Sequence, residues 1–161
     1  MVNKINIRLM KAKDLKKLAD IYTRAYKIYG KWEKWNAKEA YKLLKYYLKK
    51  QSDLAFLAEY RGKIAGGFVA GIRPWWDGNH LTEGELFVDP DFQKKGIGKL
   101  LLKTVLEKSI KKYNATIWEA TTFKKTVFPL IWYKNLGFNE ITEWTIIGGN
   151  IKDVLKNLSK K

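Results

Sequence analysis

The junction between an apolar run and an amphipathic run constrains this chain more than any other feature. The apolar run that includes Glu85–Val88 stops at Pro90, and a basic turn with two glycines, Gly96 and Gly98, precedes a leucine-rich amphipathic pattern. Glycine lets the main chain approach a ligand closely, and the N–H groups at a helix start attract anions. The junction therefore predicts a strand, an anion-binding turn and a helix.

Two familiar phosphate-binding loops fit this turn poorly. A P-loop needs Ser or Thr after Gly-Lys, whereas Gly98-Lys99 is followed by Leu100, so the hydroxyl that holds Mg²⁺ is missing. A dinucleotide-binding loop needs a third glycine where this chain has Leu101. One observation still favours a dinucleotide-binding loop. Glu119 lies about 20 residues further on, where such folds carry an acidic residue. An ordinary glycine turn before a surface helix is the simplest alternative.

A third kind of loop matches better. Residues 93–98 read Gln-Lys-Lys-Gly-Ile-Gly and resemble the Q/R-x-x-G-x-G/A signature of the GCN5-related N-acetyltransferase (GNAT) family. Residues 132–138 read Trp-Tyr-Lys-Asn-Leu-Gly-Phe and resemble the family's second motif, an aromatic-Tyr-x-x-x-Gly-Phe turn. Both motifs stand in the family's order, 35 residues apart from Gly98 to Tyr133. The resemblance is to members that acetylate small amines and polyamines, and it implies that the first loop grips the pyrophosphate of acetyl-coenzyme A.

The hydrophobic pattern predicts the element order β-α-α-β-β-β-α-β-α-β, which is similar to the order of this family. By itself the pattern supports an α+β fold. The resemblance implies α/β/α layers around a mixed, mostly antiparallel sheet of six to seven strands, whose fourth and fifth strands splay around the coenzyme. We expect one domain over residues 1–161. Predicted strands are 5–9, 54–60, 63–72, 81–88, 116–121 and 138–147; predicted helices are 14–29, 36–48, 98–112, 127–136 and 150–158, and residues 73–80 are a predicted loop.

Composition narrows the function classes. The 161 residues are 46% hydrophobic and 14% aromatic, which is far from a disordered composition. The chain has no cysteine, so disulfides, thiolate catalysis and cysteine metal sites are excluded, and the single histidine, His80, cannot build a metal site alone. No apolar run reaches ~18 residues and no signal-peptide pattern is seen. We therefore expect a metal-free, cytoplasmic protein without a membrane span.

The distribution of charge matters more than its sum of +16. Residues 1–50 carry 15 basic and 4 acidic side chains, and residues 91–161 carry 14 basic and 6 acidic ones. Between them, residues 51–90 carry only 3 basic side chains and 6 acidic ones. A basic surface suits an anionic coenzyme, and an acidic strip beside it suits a cationic amine. A basic nucleic-acid-binding module is the non-enzymatic alternative, but no nucleic-acid motif is present and the basic residues lie at two ends of the chain, so nucleic acid is an unlikely partner.

The resemblance assigns the coenzyme site. It implies that the backbone of Phe87 and Val88 pairs with the pantetheine arm and that the strand near Leu86 or Phe87 polarises the thioester carbonyl. The family often has Asn seven residues before its motif tyrosine, where this chain has Thr126, so that contact depends on the Thr hydroxyl. The expected coenzyme-binding residues are Leu86, Phe87, Val88, Gln93, Lys94, Lys95, Gly96, Ile97, Gly98, Lys99 and Thr126.

The same resemblance assigns the catalytic groups. Tyr133 stands at the position of the family's general acid, and a phenol keeps its proton at neutral pH until a thiolate needs it. Glu85 falls where amine-acetylating members carry an acidic residue, so we expect it to bind the amine or deprotonate it through water, with Glu83 second. Glu83 and Glu85 share a face of a regular strand, but a bulge there can re-aim either. Glu119 on the fifth strand is a third candidate base.

Aromatic side chains in two predicted loops complete the hypothesis. Trp32, Trp76 and Asp77 are expected to bind the acceptor, because aromatic faces beside acidic groups suit an amine cation. The leading function is acetyl transfer from acetyl-CoA to a small cationic amine such as a polyamine, diamine or aminoglycoside-like compound. The alternative within the fold is a protein or peptide N-acetyltransferase acting on an N-terminus or lysine. Homodimers are common in this fold, so a second copy is an expected partner.

Overall fold

A computed structural model describes residues 5–125 and 128–159. Five strands form one sheet in the order β1-β2-β3-β4-β5. Neighbours from β1 to β4 run antiparallel, and β4 and β5 run parallel, so the predicted mixed, mostly antiparallel sheet is confirmed. The strands are β1 Ile5–Leu9, β2 Ala55–Tyr60, β3 Lys63–Trp75, β4 Gly78–Val88 and β5 Ala115–Trp118. The helices are α1 Leu15–Tyr26, α2 Ala37–Lys50, α3 Ile97–Tyr113, α4 Leu130–Asn135 and α5 Ile151–Leu158.

The chain divides into two compact units, Met1–Thr121 and Thr122–Lys161. The first holds the whole sheet with α1 to α3, and the second holds α4 and α5. The expectation of one domain over 1–161 stays a prediction. In the described ranges, no helix combines the length and the hydropathy that a membrane crossing needs.

Helices pack on both faces of the sheet. α1 and α2 cover one face, with a buried cluster that includes Leu57, Val69 and Phe87 from the strands. The neighbouring residue on β2, Phe56, lies beside Thr104 and Lys108 of α3, because successive side chains of a strand point to opposite faces. Glu85 stands two positions before Phe87 and so belongs to the α1 face. The buried helix residues on these two faces include Leu15, Leu18, Ile21, Tyr22, Ala40, Leu44, Leu101, Leu102 and Val105.

Local chemistry explains most element boundaries. Asn36 caps α2 by accepting a hydrogen bond from the Glu39 N–H at 3.0 Å. Asn114 ends α3 in the left-handed conformation, with φ of 51°, where Asn is tolerated. Arg61 and Gly62 both have positive φ, as a two-residue type I′ hairpin turn requires.

Three predictions about elements are wrong. The predicted loop 73–80 is mostly strand, since β3 continues to Trp75 and β4 starts at Gly78, with Trp75 paired to Gly78. The first predicted helix, 14–29, is too long, because α1 gives way to a 3₁₀ turn at Lys27–Tyr29, which leaves Ile28 73% exposed. In the described part of the chain, residues 138–147 form no strand, and Ile141, Trp144 and Ile146 are exposed.

Candidate active site

The strand-to-helix junction has the geometry of an anion cradle. After β4, Pro90–Phe92 forms a single 3₁₀ turn, which Asp89 caps by accepting the Asp91 N–H at 3.1 Å. Asp89 is buried and also accepts a hydrogen bond from Arg24 of α1 at 3.0 Å. The turn is thereby fixed to the first helix at its base. Its far end, residues 93–96, leads into the first turn of α3.

Gly96 immediately precedes α3 and holds the space in front of the helix open. Its φ is +82°, and a Cβ built there would have no atom within 4 Å. No side chain caps the start of α3, so the first N–H groups of this helix face outward with the positive end of its dipole. Lys94, Lys95 and Lys99 are exposed around it. The predicted cradle therefore has the open backbone and the positive charge that a pyrophosphate needs.

The other predicted coenzyme residues occupy structural positions next to this cradle. Ile97 is buried and fixes the first turn of α3 to the core. Gly98 faces Val88, since a Cβ on Gly98 would lie 3.6 Å from the Val88 Cγ2. Gln93 donates from Nε2 to the Val88 carbonyl oxygen at 3.2 Å. Thr126 lies outside the described residues.

The predicted splay of the fourth and fifth strands is present. β5 pairs only with Asn79, His80 and Leu81 of β4. In the described ranges, the later part of β4, from Thr82 to Val88, has no strand partner on that side. Leu86, Phe87 and Val88 therefore lie along a free strand edge, where main-chain groups that do not bond β3 remain available, except that the Val88 carbonyl accepts from Gln93.

A bulge in β4 lies directly before Glu85. Val69 pairs with Glu85 and Gly71 with Thr82, so β4 has one residue more than β3 between those pairs. Gly84 occupies this bulge, and a Cβ there would lie 2.7 Å from Cε2 of Phe68, a fully buried ring. Only glycine fits this position without repacking. The bulge expected from the resemblance is thus confirmed, and it re-aims the strand where the candidate base stands.

Glu85 is held by two phenols from α1. Its Oε2 accepts hydrogen bonds from the hydroxyls of Tyr22 at 3.0 Å and of Tyr26 at 2.6 Å. Burial raises the pKa of Glu85 above its usual value, the two phenolic hydrogen bonds oppose that shift, and the nearby Glu33 adds to it. A half-buried carboxylate with a raised pKa holds a proton more readily than an exposed one, as a general base must.

Aromatic rings surround this carboxylate. The rings of Tyr22 and Tyr26 stack with centroids 4.3 Å apart, and Tyr22 meets Trp35 and Phe87 edge-on at 5.2 and 5.1 Å. Trp35 donates from Nε1 to Glu33 at 2.6 Å. Rings and carboxylates together form the environment that binds an organic cation.

The other two candidate bases differ from Glu85. Glu83 lies in the bulged part of β4, and its side chain lies outside the described part of the structure. Glu119 follows β5 and is engaged by Arg73 and by Nδ1 of His80, the latter at 2.6 Å. His80 is buried and its Nε2 lies 2.8 Å from Asp77. Glu119 and Asp77 therefore join β3, β4 and β5 where the two parallel strands are still paired.

Two predicted acceptor residues lie far from Glu85. Trp76 and Asp77 form the two-residue tip between β3 and β4, eight positions before Glu85 on β4, or about 25 Å at the rise of a strand. They cannot contact the same small amine as Glu85, because the strands extend through the predicted loop. Trp32 instead lies in the segment that also carries Glu33 and Trp35, between α1 and α2.

Tyr133 belongs to the second unit, where its motif forms a helix end. The N–H of Phe138 bonds the Tyr133 carbonyl at 3.1 Å, and the N–H of Gly137 bonds the Lys134 carbonyl at 3.0 Å. Gly137 has φ of +95°, and the rings of Phe138 and Tyr133 meet at 5.4 Å. These are the two bonds, the left-handed glycine and the apolar contact of a Schellman motif. The spacing of Tyr, Gly and Phe in the motif therefore has a structural reason of its own.

The sequence interpretation missed the partners of Glu85. Tyr22, Tyr26 and Glu33 are absent from the predicted site residues. A pair of tyrosines four residues apart on one helix was the available signal, since such residues share a face. That spacing alone could not identify the carboxylate that they meet, which lies 59 residues beyond Tyr26.

The comparisons with known proteins agree with this geometry. Residues 15–138 match the model of the acetyltransferase (GNAT) family. An uncharacterised N-acetyltransferase of Methanocaldococcus jannaschii is 31% identical over 144 residues, which cover 87% of this chain and 63% of that protein. The [ribosomal protein bS18]-alanine N-acetyltransferase of Escherichia coli is 39% identical over 66 residues, 38% of this chain and 43% of that protein.

Among solved structures, the crystal structure of a predicted acetyltransferase from Clostridium acetobutylicum with acetyl-CoA superposes with a TM-score of 0.69. It is 19% identical and the match covers 90% of this chain and 96% of that one, so the likeness concerns the fold. The fold and the matched motifs define an acyltransferase class. This chain belongs to the GNAT acetyltransferase family, as the two motifs predicted.

Proposed function

We propose that the protein transfers the acetyl group of acetyl-CoA to the primary amine of a small cationic acceptor in the cytoplasm. The observation that carries the proposal is the open, uncapped start of α3 behind Gly96, next to a strand edge that ends at Val88. The residues present fit the coenzyme's charge and shape. Main-chain N–H groups, three exposed lysines and a helix dipole face the space where an anionic pyrophosphate would bind.

Glu85 is the proposed base. A cationic amine must lose one proton before it attacks, and Glu85 accepts that proton through a water molecule. The neutral nitrogen then bonds to the thioester carbon and carries one further proton that it must lose before the amide is complete. The raised pKa of Glu85 supports this role, because a base is most effective when its pKa lies near the working pH.

The remaining steps rest on main-chain groups and on the second motif. The free edge of β4 near Leu86 and Phe87 would polarise the carbonyl as its oxygen gains negative charge. When the C–S bond breaks, Tyr133 donates its phenolic proton to the leaving thiolate, and the second proton lost by the acceptor nitrogen restores the phenol by way of solvent. The role of Tyr133 is proposed from its place in the motif.

The acceptor class follows from the surroundings of Glu85. Tyr26 and Trp35 supply partly exposed rings, and Glu33 supplies a second carboxylate. Such a site attracts an ammonium group. Trp32, in the same segment as Glu33, would border the entrance.

A protein acceptor is the second candidate. It is supported by the likeness to the enzyme whose name gives ribosomal protein bS18 alanine as its target, and by the tip of the β3–β4 hairpin, where Trp76 is 86% exposed. A chain-like acceptor could reach both Glu85 and Trp76 over about 25 Å, whereas a small amine could not.

Coenzyme binding gives the first test, with a matched pair of glycine variants. Gly96→Ala and Gly62→Ala both place a Cβ at a positive φ with no atom within 4 Å, so both should lose a similar amount of stability, about 1 kcal/mol. Only Gly96→Ala narrows the cradle, and we expect it to weaken acetyl-CoA binding at least about tenfold by calorimetry, or ~1.4 kcal/mol. No thermal stabilisation of the wild-type protein by saturating acetyl-CoA would refute the proposed function.

An acceptor panel separates the two candidates. Release of the coenzyme thiol should be measured with spermidine, kanamycin and an alanine-terminated peptide as acceptors. Under the leading proposal the two small cations react and Trp76→Ala leaves their kcat/KM unchanged. Turnover of the peptide alone, lowered by Trp76→Ala, would favour a protein acceptor.

A further inference from the structure

Two tyrosines on α1 meet one oxygen of Glu85. Tyr22 and Tyr26 are four residues apart, so they lie on the same face of the helix, and both hydroxyls donate to Oε2. In the described residues, no hydrogen bond reaches Oε1. The carboxylate thus has one oxygen held by α1 and one available for another partner.

Packing fixes the two hydroxyls in place. Tyr22 is fully buried, and its ring is confined by Tyr26, Trp35 and Phe87. A phenylalanine would fill this core equally well, and a buried hydroxyl costs free energy unless it is hydrogen-bonded. The hydroxyls therefore need a function that packing alone does not supply, and Glu85 is their partner.

The charged groups near Glu85 do not stabilise its ionised form, so the two hydroxyls have to. From α1 come Tyr22 and Tyr26, and from the segment between α1 and α2 comes Glu33, which is of like charge. In the described part of the chain, no lysine or arginine pairs with Glu85, although the protein has 32 basic residues. The two phenols are consequently the groups that stabilise the ionised carboxylate.

We infer that Tyr22 and Tyr26 are positioning residues, which keep Glu85 ionised through Oε2 and aim its Oε1 at the proton to be removed from the acceptor. The inference rests on the proposed function in which Glu85 is the base. Hydrogen bonds to the charged form of an acid lower its pKa, so the pair sets the lowest pH at which the base can act. The two rings contribute to packing, whereas the two hydroxyls lower the pKa of Glu85.

The first experiment measures Glu85 directly and needs no acceptor. The side-chain carboxyl of Glu85, labelled with ¹³C and assigned by its loss in Glu85→Gln, is titrated by NMR in wild-type, Tyr22→Phe and Tyr26→Phe proteins. Each Phe variant should raise the pKa of Glu85 by roughly one unit, since a hydrogen bond to a charged acceptor contributes about that much. An unchanged pKa in both variants would overturn the inference.

A tyrosine elsewhere provides the control. The hydroxyl of Tyr113 also donates to a carboxylate, that of Asp53, at 2.6 Å. Tyr113→Phe loses a comparable phenol–carboxylate bond that involves neither α1 nor Glu85, and it should leave the pKa of Glu85 unchanged. A shift of equal size in this control would mean that the effect reports general loosening of the fold.

The second experiment uses turnover with whichever amine of the panel reacts. In Tyr22→Phe and Tyr26→Phe the acidic limb of the kcat/KM profile should move to higher pH by roughly one unit, with activity largely recovered above it and with unchanged affinity for acetyl-CoA. An unmoved limb, in an enzyme that Glu85→Gln inactivates, would overturn the positioning role but leave the proposed function intact. Absence of turnover with every amine would count against the proposed function, while the NMR titration still decides the inference.

Discussion

At Glu85, the protonation state that stabilises the fold differs from the one that the proposed base needs. Burial raises its pKa, so the folded state binds its proton more tightly than the unfolded state does. The group therefore contributes stability that is fully present below the unfolded pKa and is lost as the pH rises through the folded pKa. The ionised form that a base needs is the form that the fold disfavours, as is common at active sites.

This conflict predicts the behaviour of Glu85→Gln. The neutral amide keeps an oxygen that can accept from Tyr22 and Tyr26 and does not ionise. We expect the variant to lose acetyl transfer but to melt about 2–4 °C higher than wild type at about pH 8, corresponding to ~1 kcal/mol. The difference should vanish near pH 4, where the wild-type carboxyl is protonated.

The exposed Glu107 provides the control for this measurement. Its contact to Lys103 is a surface pair, with 67% exposure of both side chains, and such pairs contribute little. Glu107→Gln should show no pH-dependent gain. A Glu85→Gln protein that melts lower than wild type at every pH would contradict the predicted conflict.

At the scale of elements, the bulge in β4 requires a glycine at position 84. Gly84 lies against the buried ring of Phe68, and it immediately precedes Glu85. Gly84→Ala should lower the free energy of unfolding by about 1–3 kcal/mol through overpacking. It should also reduce kcat, because a shift of the strand would move Glu85, the proposed base. Chemical denaturation and steady-state kinetics measure the two effects.

Gly71 offers a matched control in the adjacent strand. A Cβ there would meet only the flexible end of Lys50, at 3.7 Å, so Gly71→Ala should cost little or stabilise slightly. Equal destabilisation by the two substitutions would show that the tight contact between Gly84 and Phe68 does not cause the loss of stability.

The elements could be predicted to different degrees. α2 and α3 follow from their apolar spacing and their caps, because those signals are local. The length of the β3–β4 hairpin could not be predicted, since Pro74, Trp75 and Gly78 indicate a loop and only cross-strand pairing makes them strand. Residues 138–147 have strand-like composition, but strand propensity is realised only where a partner strand is available.

At the scale of the whole molecule, the net charge of +16 should affect stability and coenzyme binding in opposite directions. Self-repulsion destabilises a compact, highly charged protein, and salt screens it, with a Debye length of about 10 Å at about 0.1 M. Raising NaCl from about 20 to about 300 mM at neutral pH should therefore raise the melting temperature. Over the same range the affinity for the anionic coenzyme should fall.

Calorimetry at two pH values measures how the melting temperature and the coenzyme affinity change with salt. Near pH 10 part of the lysine charge is lost, so the effect of salt on the melting temperature should shrink. A melting temperature that falls with salt would indicate that ion pairs such as Arg8–Asp14 and Lys112–Asp53 outweigh the overall repulsion.

The sequence by itself determined the family, the glycine turn between β4 and α3, and the order of the elements from β1 to α4. Each depends on short stretches in which neighbouring residues carry the signal: Gly96 and Gly98 at a helix start, and Tyr133, Gly137 and Phe138 at a helix end. Glu85 could be singled out in the same way, as an acidic residue just before that turn. The tertiary structure decided what surrounds it. Tyr22 and Tyr26 bond Glu85 because α1 packs across β4, and the charge of Glu33 acts on it from the segment after α1. Asp77 and Glu119 are instead engaged by His80 where the strands still pair. Such contacts join residues far apart in the chain, and no local pattern encodes which of several carboxylates receives the buried hydroxyls.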